Sequence, residues 1–322
     1  METQQIDRFR DTHRALREAV ESQIVGQSDA VSAVLTALFA GGHVLLEGPP
    51  GVGKTAIVRA IADAAPLQFR RIQFTPDLMP ADIIGTYIVL ESHGRRKFEF
   101  QQGPIFANIL LADEINRATP KTQAALLEGL EERCVTVANE TYDLPSPFFV
   151  VATRGDVEGE GTFPLPETQL DRFHFHVRMS YPSDESLEAM LIRMTGAAAS
   201  GGEVVSKDEI VAAQATVAEV DAGGPPCQFA AKLLRALQPT GERAAAAVKK
   251  YVERGASPRA GAAMVLGAKV NALLEGRQAA TPDDVRATAA NVLRHRLTLN
   301  YDGHAENVDP AAIIQEVLQG VS

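Results

Sequence analysis

The sequence predicts an α/β fold, a parallel sheet covered by helices on both faces, followed by a smaller all-helical domain. Three observations predict it. Short apolar runs alternate with helical patterns as far as Tyr181-Pro182, the runs then cease, and the remainder is alanine-rich with repeated helix-start signals. With 322 residues and 45% hydrophobic content, the chain can bury one large core and a smaller one. The division is expected near residue 180, giving units 1–180 and 181–322.

Taken in order, Gln5 to Ser22 carries Ile6, Phe9, Leu16 and Val20 among charges, the spacing of an amphipathic helix, and Ser28 to Phe39 forms a second. Five apolar runs read as buried strands: His43 to Leu46, Phe69 to Phe74, Ile109 to Ala112, Phe148 to Ala152 and Phe173 to Val177. Helices lie between them at Thr55 to Ala64, with Ile57 and Ile61 on one face, and at Thr119 to Arg133, opened by Thr119 as cap and Pro120 at the first position. Val135 to Leu144 reads as a hairpin about a turn at Ala138-Asn139-Glu140. In the second part Ser206 with Glu209 forms a capping box, and Ser257-Pro258 and Thr281-Pro282 pair a cap with proline at the first helical position. Gly196 to Gly202 and Gly223-Gly224-Pro225-Pro226 read as loops.

A formal charge of -10 argues against nucleic acid as a partner, because gripping phosphates along a duplex needs a basic face. Membrane insertion is not expected, since no apolar run reaches the roughly 18 to 20 residues that span a bilayer. The opening Met1 to Arg10 is charged rather than signal-like, so a cytoplasmic location is expected. Cys134 and Cys227 lack partners at ligand spacing and read as buried small hydrophobes.

The strongest chemical signal is Gly48-Pro49-Pro50-Gly51-Val52-Gly53-Lys54-Thr55, a P-loop (Walker A) set between a strand, Val44-Leu45-Leu46, and a helix. Its glycines let backbone N–H groups converge on phosphate oxygens, Lys54 neutralises the β and γ phosphates, Thr55 can ligate magnesium, and the helix N-terminus adds its dipole. A second acidic element follows: Ile109-Leu110-Leu111-Ala112 ends in Asp113-Glu114, a Walker B pattern. Two carboxylates at the end of a buried strand are costly without a cation. Asp113 is therefore assigned to magnesium and Glu114 to orienting the attacking water.

Two arginines stand apart. Arg259 lies in the first turn of the helix capped by Ser257, where a cation opposes the helix dipole at about 0.3–1 kcal/mol, so an anion is expected nearby, a nucleotide phosphate above all. Arg172 immediately precedes the last strand and by chemistry alone could equally be a structural partner of Asp171.

Longer strings carry a resemblance. Gly41-Gly42-His43-Val44-Leu45-Leu46-Glu47-Gly48, Gln73-Phe74-Thr75-Pro76-Asp77-Leu78, Gly103-Pro104-Ile105-Phe106-Ala107-Asn108, Ala112-Asp113-Glu114-Ile115-Asn116-Arg117-Ala118 and Gly161-Thr162-Phe163-Pro164-Leu165-Pro166-Glu167 resemble the MoxR family of AAA+ ATPases along nearly the whole chain. The resemblance implies an AAA+ P-loop αβα core with a parallel sheet, followed by a small all-helical lid domain, assembled as a homo-oligomer, typically a hexameric ring, with ATP and magnesium between subunits. It also implies that Ile24 and Val25, in Ile24-Val25-Gly26-Gln27, contact adenine and that Gly48, Pro49, Pro50, Gly51, Val52, Gly53, Lys54, Thr55 and Ala56 surround the phosphates. Arg172 becomes the arginine finger reaching a neighbour's γ-phosphate and Arg259 the sensor-2 arginine of the lid. The segment from about Phe74 to Phe100 resembles the helix-2 insert and Val135 to Leu144 the pre-sensor hairpin, both facing the ring axis.

One departure stands out. After Val150-Val151-Ala152-Thr153 the family has Gln-Asn-Pro, whose asparagine serves as sensor 1, whereas this chain has Arg154-Gly155-Asp156. Hydrolysis is then slow, or Thr153, Arg154 or Asp156 substitutes. The Arg-Gly-Asp string is read as a coincidental likeness to an adhesion motif. His174 and His176 share one face of a strand and read as ordinary strand histidines rather than a metal pair, and Arg95-Arg96-Lys97 as a solvated turn.

The function expected is magnesium-dependent ATP hydrolysis coupled to chaperone-like remodelling of a partner, one carrying a von Willebrand factor A domain by the resemblance. Two alternatives stay open: a nucleotide-gated binding scaffold with weak hydrolysis, suggested by Gly155, and a motor subunit similar to magnesium chelatase or gas-vesicle ATPases.

Overall fold

The computed structural model describes residues 3–92, 95–155, 162–195 and 202–321. Helix α1 (Thr3–Glu21) turns Ile6, Phe9, His13, Leu16 and Val20 inward, three or four residues apart. Helix α2 (Ser28–Phe39) is apolar nearly all round and buried accordingly. There follow β1 (Val44–Glu47), α3 (Lys54–Ala64), β2 (Phe69–Gln73), α4 (Pro80–Ile84), β3 (Gly85–Ser92), β4 (Arg95–Gln102), β5 (Ile109–Asp113), α5 (Pro120–Glu132), β6 (Cys134–Val137), β7 (Glu140–Asp143), β8 (Phe149–Arg154), α6 (Glu167–Leu170) and β9 (Phe175–Arg178).

The five expected strands form one parallel sheet in the order β2-β5-β8-β1-β9. Alternate residues feed two cores. Ile109, Leu111, Phe149, Val151, Val44 and Leu46 pack with α1, α2 and α3, while Leu110, Ala112, Val150, Ala152 and Leu45 pack with α5. One strand departs from the buried reading. β2 is an edge strand in which Arg70, Arg71 and Gln73 are exposed, because only one neighbour covers it.

Two hairpins stand off the sheet. β3 and β4 pair from Gly85↔Gln102 to Ser92↔Arg95, so Arg95, Arg96 and Lys97 belong to a strand and not to a turn. β6 and β7 are joined by Ala138 and Asn139 at φ 49° and 70°, the two-residue turn that matches strand twist. A clasp links the hairpins. Tyr87 and Tyr142 both donate to Glu140 Oε2, at 2.7 and 2.6 Å, and the rings of Phe100 and Tyr142 stack at 4.2 Å.

Beyond β9 come α7 (Asp184–Thr195), α8 (Lys207–Glu219), α9 (Pro225–Ala236), α10 (Ala246–Tyr251), β10 (Val252–Arg254), α11 (Pro258–Leu274), α12 (Pro282–Leu293), β11 (Thr298–Leu299), α13 (Tyr301–Ala305) and α14 (Pro310–Gly320). The capping boxes at Ser206–Glu209 and Thr281–Asp284 close as their sequences require, and Ser257 caps α11 through the Arg259 amide. This part is helical apart from the short β10–β11 ribbon, in which buried Val252 pairs with Leu299. Pro225 and Pro226 open α9 rather than ending a loop, since a helix's first turn needs no amide donor there. Cys227 is exposed and not buried, because Pro226, Phe229, Ala230 and Leu233 take the inward face of α9. Most of the Gly196 to Gly202 stretch, residues 196–201, lies outside the described residues. Helix α1 packs on α3, α8 and α11, so one apolar core continues from the sheet into the helical part. Among the described residues, no helix is long and apolar enough to cross a membrane.

Candidate nucleotide site

All five strands point their C-terminal ends the same way, the end at which parallel sheets bind ligands. The loop between β1 and α3 occupies that end. Gly51 and Gly53 take φ 83° and 101°, a region that side chains resist, and a Cβ on Gly48 would run into the Met179 carbonyl. The result is a ring of main chain into which Lys54 folds back, its ammonium donating to the carbonyls of Gly48 and of Pro49, the latter at 2.9 Å. Thr55 and Ala56 follow at the head of α3, where unpaired amides and the helix dipole favour an anion.

Facing this loop, Asp113 ends β5 and Glu114 turns away from it at φ 56°. Thr153, fully buried at the end of β8, ties the two together: its hydroxyl donates to Asp113 Oδ1 at 2.6 Å and accepts from the Glu114 amide at 2.9 Å. On the other side Arg71 of β2 binds Asp113 Oδ2 through Nη2 at 2.5 Å and Nε at 3.1 Å. Arg71 also donates to Gln73 Oε1 at 2.7 Å, and Gln73 donates to Glu114 Oε2 at 3.0 Å. Arg117 completes the chain on the same Glu114 oxygen at 2.9 Å.

Glu47, the residue before Gly48, is the third anion of the site. Burial would raise its carboxyl, but His176 and then Arg154 bind Oε2 and bring it below the usual carboxylate range, to about 2. Burial pushes His176 down, so it serves as a neutral donor to Glu47. His174 likewise is engaged, its Nδ1 accepting from the His43 amide at 3.3 Å. Thr153 and Arg154, two of the three substitutes that the sequence offers for the missing asparagine, are thus already occupied, and Asp156 lies outside the described residues.

Ile24 and Val25 are half-buried in the segment after α1. That segment is braced against the start of the helical part, where Gln27 Nε2 donates to the Ser180 carbonyl at 3.0 Å and Gly26, at φ 71°, lies against Ser186.

The two arginines are brought together, but at the opposite end of the sheet from Lys54. Arg172 precedes β9, and α5 runs back so that its last turn meets the starts of the strands, with Arg133 Nη2 donating to the Gly41 carbonyl at 2.6 Å. There Arg172 Nη2 lies 3.3 Å from Glu131 Oε2, and Arg259 binds the other oxygen of the same carboxylate. The anion answering Arg259 in this chain is therefore Glu131 and not a phosphate of its own P-loop. Asp171 is the partner not of Arg172 but of the buried Arg296, at 2.6 Å, and of Ser257, at 2.8 Å. Arg172 Nε is buried without a hydrogen-bond partner among the described residues. A cavity of about 440 Å³ opens here, lined by Gly41, Glu131, Arg133, Arg172 and Arg259 among others.

Among the described residues, no three histidines, cysteines or acids converge as a metal cage. Magnesium needs none: it takes oxygen ligands, keeps several waters and leans on substrate phosphates, so a hydroxyl at Thr55 and a carboxylate at Asp113 fit it. The residues missed from sequence are Arg71, Gln73, Glu47 and Glu131, and Thr153, named there only as a substitute for the asparagine, instead ties Asp113 to Glu114. The available signal was the pair of arginines and the glutamine in a run otherwise read as a buried strand.

Comparison with known proteins agrees with this geometry. Residues 43–175 match the ATPase family associated with various cellular activities (AAA), and residues 244–317 the AAA lid domain. The chain is 42% identical to Chaperone MoxR1 of Mycobacterium tuberculosis over 96% of its own length and 81% of that protein. It is 34% identical to Protein MoxR of Methylorubrum extorquens over 90% and 89%. A crystal structure of a Cytophaga hutchinsonii protein, 36% identical, superposes with a TM-score of 0.91 over 99% of this chain and 97% of that one. Fold, P-loop, acidic turn and these relatives lead to one assignment: the chain belongs to the MoxR family of AAA ATPases, an α/β ATPase domain followed by a helical lid.

Proposed function

We propose that the chain binds ATP with magnesium at the β1–α3 loop and hydrolyses it, using the energy to remodel a partner protein. The observation that carries this reading is the buried Thr153 hydroxyl, which fixes Asp113 and Glu114 opposite the glycine ring that holds Lys54. Phosphate oxygens take the place of the Gly48 and Pro49 carbonyls at the Lys54 ammonium, and loop amides with the head of α3 hold the rest of the anion. Thr55 and Asp113 hold magnesium, which when bound neutralises charge on the β and γ phosphates. Glu114, released from Gln73, orients the attacking water. Ile24 and Val25 meet the adenine, at the junction where a division of the chain into 1–180 and 181–322 lets the lid move.

The pairing of Arg172 with Arg259 away from Lys54 supports a ring in which both serve a neighbour's nucleotide, a homo-oligomer, in this family typically a hexamer. The chaperone name of the M. tuberculosis relative supports remodelling as the output. A cytoplasmic partner with a von Willebrand factor A domain is the client that the family likeness suggests. A second reading, a nucleotide-gated scaffold with weak hydrolysis, is favoured by Gly155, which brings no side chain to the site. Steady-state ATPase of the purified protein separates the two. Lys54→Ala should abolish nucleotide binding, and unchanged affinity in that variant would overturn both.

A further inference from the structure

β8 runs between β1 and β5, so the residue after Arg154 lies between the phosphate loop and the acidic turn. Here it is Gly155, and a cavity of about 200 Å³ opens beside it, lined by Glu47, Asn116, Arg154, Gly155, Thr162 and Leu165. Most polar groups around it are committed: Glu47 and Arg154 bind each other, and Thr153 behind them binds Asp113 and Glu114. Asn116 differs. It sits in a 3₁₀ turn, Ile115–Arg117, directly after Glu114 and is 9% exposed. Its main-chain oxygen accepts from the Phe163 amide at 2.6 Å, while its side-chain amide lines the cavity and is not tied to another side chain among the described residues.

We propose that Asn116 is a catalytic residue whose side-chain amide holds the attacking water and the terminal phosphate oxygen, doing from the β5 side what Gly155 cannot do from β8. Glu114 and Asn116 then approach that water from one short turn, carboxylate and amide together, and the cavity beside Gly155 is the room the water needs. The assignment rests on the hydrolytic reading given under Proposed function.

The test uses Asn116→Ala, Asn116→Asp and the double variant Asn116→Ala with Gly155→Asn, on the full chain with magnesium and ATP. Removing one preorganised donor costs about 10²-fold in turnover. Both single variants should lose about that much kcat while nucleotide affinity stays within about twofold, a split that a merely structural role would not give. Asparagine is accommodated at position 155, where an added Cβ meets nothing within 4 Å, so the double variant should regain at least a tenth of wild-type turnover. If Asn116→Ala fails to fold, the near-isosteric Asn116→Asp decides. Wild-type turnover in a folded single variant overturns this assignment alone. A wild-type protein that binds magnesium and ATP without turnover overturns the hydrolytic reading and this assignment with it.

Discussion

Arg71 Nη2 lies 2.5 Å from Oδ2 of Asp113, so the carboxylate assigned to magnesium carries a guanidinium from the neighbouring edge strand. The two compete for one oxygen. Arg71 is half exposed, which limits such a pair to at most about 1 kcal/mol. Arg71→Ala should therefore lower the magnesium concentration needed for half-maximal nucleotide binding by up to about fivefold. A magnesium titration of a fluorescent ATP analogue measures this, and an unchanged or higher midpoint would show that Arg71 does not compete.

Gln73 holds Glu114 on the side away from the loop. Glu114→Gln should keep nucleotide affinity and reduce turnover by about 10²-fold or more, as loss of a positioned base does. Gln73→Ala should raise basal turnover, since it removes one of two donors fixing Glu114. Parallel binding and phosphate-release assays separate these effects, and equal loss of binding in Glu114→Gln would contradict the assigned role.

Arg172 and Arg259 share Glu131 at the end of the sheet remote from Lys54, and the proposed ring has them serve a neighbour's nucleotide. Arg172→Ala and Arg259→Ala should each be inactive alone. Each should regain turnover when mixed with Lys54→Ala, which keeps both arginines and lacks a working loop. Mixtures as inactive as their components would place the arginines on their own chain's nucleotide.

Stability should fall in acid before any carboxylate titrates. Burial lowers His43 from 6.5 to about 3, and both His13 and His174 to about 4. Each stays neutral in the folded chain while its unfolded counterpart takes up a proton near pH 6.5. The stability they contribute is whole above that pH and is lost as the pH drops toward 4, at about 1.4 kcal/mol per pH unit for each. Glu47, also lowered, adds its own loss below pH 4.5. Thermal unfolding followed from pH 7.5 down to 5 should show a steadily falling Tm, and a flat profile would deny these histidines their neutral burial.

Much of the fold is legible in the chain because its signals are local. The P-loop glycines, the apolar run ending at Asp113 and the cap at Ser257 each need only a few neighbouring residues, and each forms where its sequence says. What escapes sequence is set by strand order. Arg71 meets Asp113 and Thr153 meets Asp113 only because β2 and β8 flank β5. Nothing near any of them in sequence announces the meeting. Arg259 shows the same limit. Its place in a first helical turn marks a need for an anion, but the direction of the helix decides that Glu131 supplies it.

The clasp of Tyr87, Glu140 and Tyr142 has a mechanical outcome. With Phe100 lying flat on Tyr142, neither ribbon can swing without dragging the other, so the chain carries one stiff prong where the sequence reads as two separate fingers. Since β6 follows α5 directly, and α5 begins just past the turn that holds Glu114, a tilt of that helix would reach the longer ribbon through the clasp.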